Sequence, residues 1–94
     1  MLVLPAELTH AQAGPCSRML AQALRSEPGQ QAVAEASGLR SFDSSALAVL
    51  LECRREALAA GKSFAVAGLP PRLRDLAALY GVSELLPEAS AAAA

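Results

Sequence analysis

The chain has 94 residues, enough for one domain with one core and too few to enclose a deep substrate cleft together with the groups that would work in it. Eight basic against nine acidic side chains leave a net charge of −1, and the only aromatics are Phe42, Phe64 and Tyr80, so there is neither a basic stripe nor a stacking platform for nucleic acid. No apolar run approaches the roughly 20 residues that cross a bilayer, and residues 1–8 lack a charged start followed by a long apolar stretch, so a cytoplasmic protein with no direct membrane insertion is expected.

Leu2, Val3 and Leu4 read as a short strand, with Pro5 marking an edge position or a strand end because it cannot donate to a ladder. Thr9 to Gln12 has the form of a capping box, while Gly14-Pro15 offers a second start for the same helix. In either case Cys16, Met19, Leu20, Ala23 and Leu24 share one apolar stripe, and Pro28-Gly29 ends it in a turn. Residues 31–37 read as a second strand, carried mainly by Val33, and Leu39 and Phe42 continue the apolar signal to Asp43.

Residues 44–60 form the clearest helical pattern, closed by Gly61; 63–67 read as a third strand, and a helix follows Pro70-Pro71 with Leu73, Leu76, Ala77 and Tyr80 on one stripe. Residues 83–86 add a further turn. Strands alternating with helices imply an α/β domain over 1–90 with at least partly parallel pairing, and 91–94 are expected to be a disordered Ala-rich tail.

Asp43-Ser44-Ser45 stands where a strand hands over to a helix, so Asp43 can cap free backbone N–H groups. Neither Ala46 nor Leu47 completes a capping box, which leaves one hydroxyl more than a cap requires, and a hydroxyl at a first helical turn is exposed and favourably placed for a phosphate. Capping alone and an interaction or switch role both remain open at this point. On the wheel of 44–60, Leu47, Leu51 and Leu58 lie on one side of the apolar arc, Ala46, Leu50, Cys53 and Ala57 on the other, and Arg54 between them. Only Glu52, Arg55 and Glu56 form an evident solvated face. That arc is wider than one sheet needs, so either its part near Arg54 meets a partner carboxylate or Arg54 lays its stem along the core edge.

Other motifs point away from chemistry. Gly61-Lys62-Ser63 imitates the end of a phosphate loop, but the earlier glycine is replaced by Glu56 and the segment runs from helix to strand, the reverse of the required order. Cys16 and Cys53 are too few and too far apart for a disulfide framework or a metal site, and the lone His10 lacks an orienting acid, so packed, reduced thiols, no metal, no cofactor and no catalysis are expected. Arg72 and Asp75, three apart, predict an ion pair at the start of the last helix, with an auxiliary binding role as the other reading.

The run from Val33 to Leu47, containing Phe42-Asp43-Ser44-Ser45-Ala46-Leu47, resembles the signature of STAS domains, in which a strand leads to an acidic residue and an Asp-Ser/Thr-Ser/Gly-Gly-Leu turn that opens a helix. The likeness continues at 61–68 and 76–81. It implies the anti-sigma-factor-antagonist-like fold, a mixed β-sheet with helices connecting the strands.

Within the family the chain looks most like the small cytoplasmic STAS subunits of Mla-type phospholipid ABC transporters, which maintain outer-membrane lipid asymmetry. That implies an ATPase subunit as partner, in a complex with permease and lipid-binding subunits, and a location peripheral to the inner membrane. The implied contact residues are Asp43, Ser44, Ser45, Leu47, Ala48, Leu51, Arg54 and Arg55, with Ser44 where that subfamily carries a functional Thr. The alternative within the family is an anti-sigma-factor antagonist switched by phosphorylation of Ser44. Glu35 stands for the usual Asp, Ala46 for a usual Gly, and the N-terminal strand of the family pattern is not evident, which predicts an open sheet edge that invites pairing with another copy, giving a homodimer, or with a partner.

Overall fold

A computed structural model describes residues 2–89. The elements run β1 (Leu2–Val3), β2 (Glu7–Leu8), α1 (His10–Ser26), β3 (Gln31–Glu35), β4 (Ser41–Phe42), α2 (Ser45–Ala59), β5 (Ser63–Ala67), α3 (Pro71–Leu79) and a 3₁₀ turn (Ser83–Leu85). The expected disordered tail at 91–94 lies outside the described residues.

The main sheet has the order β1-β3-β5, and β2 pairs with β4 beside it. Where a mixed sheet was expected, every ladder among the described residues is parallel. The connections explain this: α1 and α2 each carry the chain back to the starting side of the sheet before the next strand begins. β2 and β4 prolong the directions of β1 and β3 past an irregular stretch where Arg40 N and Ser41 N both donate to the Ala6 carbonyl, at 2.8 and 3.0 Å. At two residues each, they are too short to show an alternating pattern. On the far side of β5, Val66 N donates to the Pro87 carbonyl (2.8 Å) and Ala89 N to the Val66 carbonyl (2.7 Å), so the C-terminal segment partly covers that edge. β1 forms the other edge, where Val3 is 64% exposed and no described residue pairs outside it.

The core is aliphatic. Leu2, Leu8, Leu20, Leu24, Leu50, Leu73, Val66 and Cys53 are its largest fully buried side chains, and Cys16 and Cys53 are free, buried thiols. α2 packs against α1, β3, β5 and α3 together. Its broad apolar arc is thereby accounted for: Ala46, Leu47, Val49, Leu50, Cys53 and Ala57 are buried because a second helix, as well as the sheet, covers them.

Local chemistry sets the helix ends. α1 begins at Thr9 rather than at Pro15, because Thr9 N and Thr9 Oγ1 both donate to Gln12 Oε1, at 2.9 and 2.6 Å. Pro15 is accommodated inside the helix. α2 ends in a Schellman arrangement, with Lys62 N donating to the Ala57 carbonyl and Gly61 N to the Leu58 carbonyl, and Gly61 takes the φ of +77° that this requires. Lys62 reaches across to the chain leaving α1, its ammonium donating to the carbonyls of Glu27 and Gly29. The lysine of the phosphate-loop imitation is thus committed to carbonyls at the start of β3 and β5, the end of the sheet opposite to Asp43.

Candidate functional site

The C-terminal ends of the parallel strands and the N-termini of α1, α2 and α3 gather at one end of the molecule, where the Asp43 turn lies. Asp43 follows β4 directly. Its Oδ1 accepts from Ser45 N at 2.8 Å and its Oδ2 from His10 N, 33 residues away in the chain, at 3.2 Å, so one carboxylate caps the starts of two helices. The bond from Ser45 N, helped by that from His10 N, holds the Asp43 carboxyl below its usual range. Nothing in the sequence signals the His10 partnership, because it depends on β2 and β4 lying side by side.

With Asp43 as the cap, Ser44 has helical backbone angles (φ −63°, ψ −15°) and its side chain caps nothing. Its hydroxyl is exposed and makes no hydrogen bond among the described residues. Of the two adjacent serines it is therefore the uncommitted one. Ser45 is half-buried beside the carboxylate that caps its N–H.

Beyond Ser44, spacings of four and three place Ala48, Leu51, Arg55 and Leu58 on the same side of α2, a stripe about 20 Å long at 1.5 Å per residue. Ala48 and Arg55 are exposed, Leu51 is half-buried and Leu58 is 49% exposed. Arg54 is half-buried at the margin of this stripe. Leu47, expected at the surface, is 2% exposed and belongs to the core, because it turns toward the elements that enclose α2. Leu58 takes its place on the outside. The wheel put both leucines on the same side of the apolar arc, and only the packing of neighbouring elements distinguishes them.

Arg55 is held within the chain, its Nε donating to Glu52 Oε1 at 3.1 Å with Glu56 close by, and this bond holds the Glu52 carboxyl below its usual range. The expected ion pair between Arg72 and Asp75 is not formed. Arg72 instead lies over the Phe42 ring, its guanidinium carbon 5.6 Å from the centroid, which brings the first turn of α3 beside the Asp43 turn.

Other groups offer little chemistry. Burial, then the neighbouring Cys16 and the Glu52 and Glu56 carboxylates, push the Cys53 thiol up to about 12, and burial also raises Cys16. Among the described residues no three His, Cys, Asp or Glu side chains are grouped to hold a metal ion, and no helix is long and apolar enough to cross a membrane. The arrangement is an exposed helix start with one free hydroxyl, a discontinuous apolar stripe and arginines at its margins, suited to protein contact.

Comparison with known proteins gives the site its context. A family model described as "Mlab, STAS domain" matches residues 1–87. No curated protein sequence matches the chain. Among solved structures, the anti-sigma factor antagonist SpoIIAA in its unphosphorylated form is similar at a TM-score of 0.72 and 19% identity, covering 97% of this chain and 79% of that one. At that identity the likeness speaks for the fold.

Proposed function

The chain belongs to the MlaB-type STAS domain family, and from that membership we propose that it is a non-catalytic subunit that binds and supports the ATPase of an Mla-type phospholipid ABC transporter. STAS domains are in general non-catalytic interaction or regulatory modules, in keeping with such a role. The observation that carries the reading is the uncommitted Ser44 hydroxyl at the head of the stripe through Ala48, Leu51, Arg55 and Leu58. A rigid helix presenting a small polar group followed by leucines fits a groove on a partner, with the leucines supplying apolar area and Ser44 fixing the register. Asp43 and Ser45 act by setting the start of α2, and Arg54 contributes at the edge of the surface. The subunit then works at the cytoplasmic face of the inner membrane through the complex, without inserting into the bilayer.

Binding of the purified chain to the transporter's ATPase subunit tests this. Ser44→Asp and Leu51→Asp should each weaken the complex about tenfold or more, since a charge would be left in a desolvated contact. Tight binding by both variants would remove the helix from the interface.

One observation favours the second reading, an anti-sigma-factor antagonist switched at Ser44: the hydroxyl is free, exposed and at a helix start that attracts phosphate. The carboxylate of Asp43 already occupies the first N–H groups there, so a phosphate would stand beside a like charge. Copurification from the native host separates the two, with permease and lipid-binding subunits supporting the transporter and a histidine-kinase-like ATPase supporting the switch.

A further inference from the structure

Arg72 is the second residue of α3, a position where a cation meets the unfavourable end of the helix dipole. Asp75, one turn on, is its natural intrachain partner, yet among the described residues no carboxylate lies within ion-pair distance of Arg72. What holds the guanidinium is the face of Phe42, 5.6 Å away. A ring fixes the position of a guanidinium without neutralising it, and leaves the in-plane N–H donors of the fork free for a carboxylate. Phe42 in turn is fixed, being half-buried against the core and followed at once by Asp43, whose carboxylate is anchored at two helix starts.

The distribution of the other arginines makes this local. Arg25, Arg55 and Arg74 are each paired with a glutamate of the chain, and Arg18 faces the α1–α2 groove that holds Glu52 and Glu56. Among the described residues Arg40, Arg54 and Arg72 have no such partner, and two of them, Arg54 and Arg72, flank the stripe on α2 and the Asp43 turn. The acidic group nearest the turn, Asp43, is occupied by its two N–H donors. Arg54 beside the stripe and Arg72 beside the Asp43 turn are thus left without a direct ion-pair partner among the described residues, although the chain as a whole has a net charge of −1.

We propose that the docking surface crosses from α2 onto the first turn of α3, where Arg72, preset by Phe42, receives a carboxylate from an acidic patch on the partner. This rests on the docking role of the Ser44 surface given above, and names the chemistry of the face that meets it: apolar opposite Leu51 and Leu58, acidic opposite Arg54 and Arg72. Charge at the rim of an interface acts chiefly on association rate and salt dependence.

The test is a titration of the purified ATPase subunit with the wild-type chain and with Arg72→Glu, Arg72→Gln, Arg72→Lys and Phe42→Leu, at low and at high salt. Thermal melts of each variant confirm the fold. Arg72→Glu should weaken binding about tenfold at low salt and flatten the salt dependence, and Arg72→Gln should do the same to a smaller degree. Arg72→Lys keeps the charge but loses the planar fork, and Phe42→Leu loosens an intact arginine, so both should cost a few-fold while the salt dependence persists. Wild-type affinity and salt dependence in Arg72→Glu and Arg72→Gln would overturn the extension to α3 and leave the docking role of α2 standing. Failure of the wild-type chain to bind would overturn both.

Discussion

Replacing Gly68 by Ala should be far more damaging than replacing Gly61, although both glycines have positive φ, +68° and +77°. At Gly61 an added Cβ meets nothing within 4 Å, so the cost is the backbone strain of an L-residue in the left-handed region, about 1–2 kcal/mol. At Gly68 the same strain applies, and the Cβ would also sit 2.7 Å from Ser37 Cβ and 3.1 Å from Ser37 Cα and N. Two of those contacts are backbone atoms of a segment that is itself pinned, since Ala36 N donates to the Ala67 carbonyl at 2.8 Å and Ser37 N to Glu35 Oε1 at 2.8 Å. The loop cannot give way cheaply, so a further overpacking cost of about 1–3 kcal/mol is expected. At roughly 4–8 °C per kcal/mol for a domain of this size, Gly61→Ala should lower the melting temperature by roughly 4–16 °C and Gly68→Ala, at about 2–5 kcal/mol in all, by roughly 8–40 °C. Circular dichroism melts of the two variants against wild type measure the difference. Equal shifts would refute the claim that the contact with Ser37, rather than the sign of φ, makes Gly68 necessary.

The two kinds of leucine on α2 should separate in the same assay. Leu50→Ala, at a fully buried site, should cost about 2–5 kcal/mol, whereas Leu58→Ala should stay within about 0.5 kcal/mol and act on partner binding instead. Asp43 has a depressed pKa in the fold, so its contribution to stability is complete above its ordinary value of 3.8 and disappears as the pH falls through the lower folded value. Asp43→Asn should therefore lower stability at pH 7 and make the acid limb of a urea-unfolding series shallower, and an unchanged acid limb would count against the double cap. Neither thiol should react with an aromatic disulfide reagent at pH 8 in the native protein, and both should react once urea unfolds it. For Cys53, which keeps its proton up to about 12 in the fold, stability should decline as the pH rises above the ordinary thiol value of 9.0, because the unfolded chain releases that proton first.

What could be read from the residues was whatever one element determines by itself. The long apolar periodicities of α1 and α2, Pro71 at the start of α3 and the strand at 63–67 each carry their own signal, and so does the acidic cap before two serines. The remainder depends on neighbours. Leu47 and Leu58 are equivalent on a helical wheel and opposite in the fold, because burial on α2 is decided by where α1, α3 and the sheet stop. Arg72 and Asp75 have the right spacing for an ion pair, but an aromatic ring from β4 competes for the arginine. β2 and β4 exist only as each other's partner, and with them the bond from His10 to Asp43.

Lys62 has a consequence of a different kind. By tying the exits of α1 and α2 to the start of the sheet, it anchors the pole of the molecule that faces away from Ser44. The Lys62 clamp and the Ser44 surface are thereby kept at opposite ends, too far apart to share partners, and changes at the two should combine additively. A lineage could rewrite the exposed positions 44, 48 and 58 to follow a drifting partner with little effect on its own folding, which makes the chain a natural scaffold for selecting new binding specificities.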